Sequence, residues 1–220
     1  MVSCSFESEG IHINDTKEDL ELYDYYVDEY GNEGIVAFIM TSSHELKRIA
    51  VVSIDESIEM WGPMNDVIYE GEVTQSITSQ PEFGVAMHQA MKAIGIKQFP
   101  AQYWCDIKNG ENKSPYAGSW RLPTRKELLL IFGQNGEKVD ALNSALIKVD
   151  GCPISDTGLY WSCVEDFDGL SSFAEIISDY DPENRAIVFS SHNAGYSYKD
   201  RWIKKNKYYV RAIKYIYYKE

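Results

Sequence analysis

Two acidic stretches, Glu165-Asp166-Phe167-Asp168-Gly169 and Asp179-Tyr180-Asp181-Pro182-Glu183-Asn184, gather hard oxygen donors of the kind calcium takes in sets of roughly six to eight. Both read more simply as solvated loops, so no metal and no cofactor is expected. The four histidines, His12, His44, His88 and His192, are scattered, and none forms HxH, HExxH or a His/Cys cluster that could hold zinc. Phosphate-cradling glycine motifs are missing, and so is the GxSxG turn of a nucleophilic serine. Ser162 stands between Trp161 and Cys163 without flanking glycines. Four cysteines (Cys4, Cys105, Cys152, Cys163) show neither CxxC nor metal spacing, and Cys105 and Cys163 read as small buried apolar residues. The expectation is a non-catalytic chain.

The stretch Ser191–Asn206 (SHNAGYSYKDRWIKKN) is of another kind. Tyr196, Tyr198, Arg201 and Trp202 are rigid or planar anchors, and Asn193 is an adaptable polar partner, the mixture that binding loops use. Together with Asp166 and Asp168 these residues form the candidate ligand-binding set, directed at a glycan or a protein. Nucleic acid is not expected, because the formal charge is −13 and phosphate binding needs an excess of Lys and Arg. The charge is nevertheless segregated: Lys199–Lys219 holds eight Lys or Arg against one acid. That end reads either as a solvated strand and loop or as a basic rim facing a ligand.

Which elements would hold such loops? Residues 1–22 read as a flexible acidic lead-in and residues 23–220 as a single domain, long enough for a sizeable core. Gly34–Met40 and Leu46–Ile54 are β-branched runs that predict a hairpin across Thr41–Glu45. Phe83, Met87, Met91 and Ile94 recur at helical spacing after Pro81, and Phe99–Ile107 suggests a short helical piece. Thr124 and Glu127 form a capping box ahead of a helix whose apolar stripe is Leu128, Ile131 and Phe132. Val139, Leu142, Leu146 and Val149 predict another helix over Glu137–Val149, stopped by Gly151. Strands follow at Leu159–Val164, Ala186–Ser190 and Tyr208–Tyr217, with loops Glu165–Ser172 and Ser191–Asn206 between them. Strands at both ends with helices between predict an α+β domain whose termini meet in one antiparallel sheet. Trp120 and Leu122 would pin a short strand. Arg211, inside an apolar strand, needs a carboxylate or carbonyls, with Glu165 or Glu127 as candidates.

Trp120-Arg121-Leu122-Pro123-Thr124-Arg125-Lys126-Glu127-Leu128 resembles the WxLPTxxEL signature of a bacterial C-type-lectin-like domain family, the Fibrobacter succinogenes major paralogous domain type. Leu142–Leu146, Tyr160–Glu165 and Tyr209–Ile213 follow in that family's order, and the likeness runs over roughly Tyr25–Tyr217. The resemblance implies a C-type-lectin-like fold, with N- and C-terminal strands paired in an antiparallel sheet and two or more helices packed on it. It also implies a ligand surface in the C-terminal loops. The EPN and WND patterns of calcium-dependent sugar binders are missing, as is the reactive cysteine pair of the formylglycine-generating branch. The main expectation is a ligand-binding module. The rivals are an assembly domain of a surface or phage-like appendage and an enzyme with a dispersed site. No stretch is long and apolar enough to enter a membrane. Met1–Gly10 lack a signal-peptide pattern. Location is left open: the cell surface or secretion if the N-terminus is trimmed, with Cys4 as the remnant of a lipid-attachment site, and otherwise the cytoplasm. Oligomeric state is left open.

Overall fold

Gly34–Met40 is apolar at successive positions because its strand is covered on both faces. The structure is a computed structural model describing residues 20–41, 46–63, 68, 80–110, 114–116, 118–133, 136–155, 158–165, 185–190 and 201–219. Strands β1 (Tyr25–Val27), β2 (Glu33–Thr41), β3 (Leu46–Ser53) and β9 (Ile213–Lys219) form an antiparallel sheet in the order β1-β2-β3-β9. Both ends of the described chain thus share one sheet, as the sequence predicts. On one face lie Val36, Ile49, Val51 and Ile216; on the other lie Ile35, Phe38, Ala50, Val52, Ile213 and Tyr215. A bulge at Ala37, between the pairs Val36–Val51 and Phe38–Ala50, resets the alternation so that Phe38 rejoins the second face.

Helices α3 (Arg125–Phe132) and α4 (Val139–Lys148) cover the second face through Leu128, Ile131, Phe132, Leu142 and Leu146. The first face meets helices α1 (Pro81–Gly95) and α2 (Pro100–Asp106) and a second sheet. That sheet contains β4 (Ser57–Met60), β5 (Leu159–Glu165), β6 (Arg185–Ser190), β7 (Arg201–Ile203) and β8 (Lys207–Val210), in the order β4-β8-β5-β6-β7. Trp61, Trp120 and Trp161 are fully buried between the layers. Each indole N–H donates to an oxygen: Ser162 O at 2.8 Å, Asp28 Oδ2 at 2.7 Å and Glu59 O at 2.9 Å. Burial of each such apolar side chain contributes about 1.5–3 kcal/mol once its polar atom is matched.

Some sequence expectations need correction. Tyr208–Tyr217 is two strands, β8 and β9, in different sheets, with the chain crossing between them at Arg211-Ala212. Trp120–Leu122 is only an isolated bridge, Arg121 to Ile213, because Pro123 and the Thr124 cap turn the chain at once into α3. The turn after α4 places Asp150, not Gly151, at positive φ (57°). Ile94 is 44% exposed, so the buried stripe of α1 is Phe83, Met87, His88 and Met91. Strands β1, β4 and β7 escaped the sequence reading. Cys105 and Cys163 are buried as expected, while Cys152 is exposed. Burial pushes the Cys163 thiol up to about 12.

Gly84 shows how tightly α1 docks. A Cβ there would lie 2.5 Å from Arg121 Nη1 and 2.6 Å from its Cζ, and that guanidinium is held by a buried carboxylate. Gly84→Ala gains about 1 kcal/mol of helix propensity but overpacks a site that cannot yield, at about 1–3 kcal/mol. The expected result is a lower urea midpoint with an unchanged slope.

Candidate functional site

Of the sequence-nominated binding residues, Asp166, Asp168, Asn193, Tyr196 and Tyr198 lie outside the described residues, as does most of loop Ser191–Asn206. Arg201 and Trp202, expected in that loop, instead occupy β7, the last strand of its sheet, opposite Ile187 and Ala186. The strand then turns through residues 204–206 into β8. The basic end therefore forms a strand pair whose turn exposes Lys205, with Lys207 exposed at the start of β8.

Polar clusters lie inside the protein among the described residues, and three of them join the sheets to their connections. In the first, Arg121 and Glu127 form a two-pronged ion pair, Nη1 to Oε2 at 2.8 Å and Nη2 to Oε1 at 2.7 Å, with both side chains buried. Glu127 also accepts from Thr124 N at 2.6 Å and from the Tyr215 hydroxyl at 2.8 Å. Burial alone would raise the Glu127 carboxyl. The Arg121 charge, with the Thr124 and Tyr215 hydrogen bonds, outweighs it and holds the group below the usual carboxylate range. A carboxylate so occupied has no free lone pair to act as a base, so this cluster is structural.

The second cluster is Asp28. It accepts from the backbone N–H groups of Tyr30 and Asn32, each at 2.9 Å, from Trp120 Nε1 and, at 3.3 Å, from Lys214 Nζ. It fixes the turn after β1 to the core. The third is Arg211, whose partner is neither Glu165 nor Glu127. Its Nη2 donates to Glu56 Oε2 at 2.6 Å and to Cys152 O at 2.9 Å; its Nη1 reaches Ser53 O, Ile54 O and Asp55 O. Glu127 is already taken by Arg121. Glu165 is the last residue of β5, whereas Arg211 lies in the connection between β8 and β9. Burial raises the Glu56 carboxyl even with Arg211 beside it.

Among the described residues, exposed apolar side chains lie on two terminal strands: Ile58 and Met60 on β4, and a larger group at β1. β1 ends the four-stranded sheet, and Leu22, Tyr25, Val27 and Tyr30 on and beside it are 46%, 43%, 49% and 44% exposed. These rank among the largest exposed apolar side chains of the described residues. Glu21, Asp24, Glu29 and Glu33, all exposed, surround them. The Tyr25 hydroxyl donates to Glu33 and its own proton is held more tightly as a result. Among the described strands β1 has a neighbour on one side, the arrangement in which a strand can template another, and its rim is acidic. Sequence reasoning missed it because three residues, Tyr-Tyr-Val between aspartates, are too short to register as a strand. Among the described residues there is no group of three or more His, Cys, Asp or Glu that could hold a metal ion. None of their helices is long and apolar enough to cross a membrane.

No family profile and no curated protein matches the sequence. Among solved structures, the fold is similar to a fimbrial protein from Bacteroides ovatus, with 17% identity and a TM-score of 0.57 over 88% of this chain. The chain spans about half of that protein, 48% of its length. The likeness fits a mixed α+β fold.

Proposed function

We propose that this chain is a non-catalytic assembly domain of a surface appendage, joining neighbouring subunits through the β1 edge. The carrying observation is that edge: exposed Leu22, Tyr25 and Val27 on a terminal strand, in a fold shared with a fimbrial protein. The acidic rim disfavours β1 meeting a second β1, because like charges would face each other. The exposed basic turn at Lys205 and Lys207 is a complementary surface on the same chain. A head-to-tail contact between these two surfaces is heterologous, and repetition of such a contact builds an open chain rather than a closed dimer. The C-type-lectin-like fold belongs to the same proposal, supported by the joining of both chain ends in one sheet.

Sedimentation at increasing concentration tests it. The expected result is self-association that weakens with added salt, since the rim charges are exposed. The pair Tyr25→Lys and Val27→Lys should reduce it by about tenfold or more. A mass that stays monomeric at every concentration would refute the reading.

Recognition of a glycan or protein through Arg201 and Trp202 is the second reading, favoured by their place on the terminal strand β7. It would replace the first if Trp202→Ala abolished binding to a glycan array while the native chain stayed monomeric.

A further inference from the structure

His88 lies on α1, its side chain 1% exposed, and belongs to no cluster described so far. Its Nε2 is 2.7 Å from Asp106 Oδ1, at the end of α2. Its Nδ1 is buried and has no hydrogen-bond partner among the described residues. One turn along α1, Lys92 Nζ reaches both Asp106 oxygens, at 3.2 and 3.4 Å. The three side chains tie the two helices together across the short connection at residues 96–99.

The proton positions follow from these contacts. Asp106 accepts only, so Nε2 carries the hydrogen and donates. A second proton must go to Nδ1, where no acceptor waits, and an unmatched buried N–H carrying charge is strongly unfavourable. Asp106 does not offset that charge well, because Lys92 already shares it. Among the described residues the other charged group facing the imidazole is Arg121, from the segment before α3, and it is also positive. We infer that His88 is an acid-released latch: neutral, it fastens α1 to α2 through Asp106, and on protonation it leaves the core and frees the end of α1.

Burial, ahead of the opposing Asp106 contact, holds the His88 imidazole below the ordinary histidine value of 6.5. The sign is then fixed. An opened state with an ordinary imidazole takes up the proton more readily than the closed state. The closed state is therefore fully favoured above pH 6.5 and loses ground as pH falls below it, by up to about tenfold in the opening equilibrium per pH unit. Asp106 titrates in a separate, more acid window. Burial would raise it, but the bonds from His88 and Lys92 prevail and hold it below its usual 3.8.

Ring NMR of the native chain and amide exchange from pH 7.5 to 4.5, corrected for intrinsic rates, test the latch. His88 should be the Nε2–H tautomer at neutral pH and titrate below 6.5. Protection of α1 amides should fall with pH while that of β2 and β3 holds. His88→Gln keeps an amide donor without a titrating group and should flatten the response above pH 4.5. A His88 that titrates at or above 6.5, or a His88→Gln chain with an undiminished pH slope, would overturn the inference. If that variant fails to fold, the native ring titration and exchange profile decide alone.

Discussion

Glu127→Ala is expected to lower the unfolding free energy by about 3–5 kcal/mol, the cost of leaving one member of a buried ion pair without its partner. Domains of this kind hold only about 5–15 kcal/mol in reserve, so the variant should be largely unfolded at moderate urea. Removing the carboxylate strands Arg121 in the core, with Gly84 too close for the guanidinium to swing aside. It also removes the acceptor for Tyr215 and half of the capping box that starts α3. The cap alone is worth about 1 kcal/mol. Joint replacement, Arg121→Met with Glu127→Leu, should recover most of the loss, because the strand-to-helix turn no longer contains an unmatched charge. Urea titration followed by tryptophan fluorescence measures both variants. A single Glu127→Ala loss under about 1 kcal/mol would show that the pair does not anchor the core.

Arg211→Met should rank next, again at about 3–5 kcal/mol. The chain changes sheets twice, from β3 to β4 and from β8 to β9, and the two crossings lie side by side: Ser53 N donates to Ala212 O at 3.0 Å. Arg211 joins them, donating to the carbonyls of Ser53, Ile54 and Asp55 and the Glu56 carboxylate of the first crossing, and to the Cys152 carbonyl beyond it. Methionine fills much of the volume but leaves these acceptors buried. The loss should appear first as faster amide exchange in β4 and β8, with β2 and β3 protected for longer. Arg211→Lys should recover only part of the stability, since a single ammonium cannot span both crossings as the planar fork does.

The pattern of apolar residues carried the β2–β3 hairpin, the four helices and the closing of both ends into one sheet. These elements have strong local signals: a β-branched run, a 3.6-residue stripe, the Thr124–Glu127 box. What the sequence hid was non-local. Nothing between Lys207 and Lys219 marks the change of sheet, since no glycine or proline stands there; only Arg211 hints at it, and its partners come from residues 53–56 and 152. Glu127 could be read as a cap residue from its spacing. That it also neutralises Arg121, six positions earlier, needs the buried geometry. The β1 edge was hidden for a different reason: it is three residues long, and its meaning depends on having one neighbour among the described strands.

The central claim, a head-to-tail contact between the β1 edge and the Lys205–Lys207 turn, is tested most directly by mixing two crippled chains. One carries Tyr25→Lys with Val27→Lys and keeps the basic turn. The other carries Lys205→Glu with Lys207→Glu and keeps the edge. Each chain should sediment as a monomer by itself, and the mixture should give a dimer and nothing larger, because only one intact contact can form per pair. Two variants that remain monomeric when mixed, or that each still assemble alone, would contradict it.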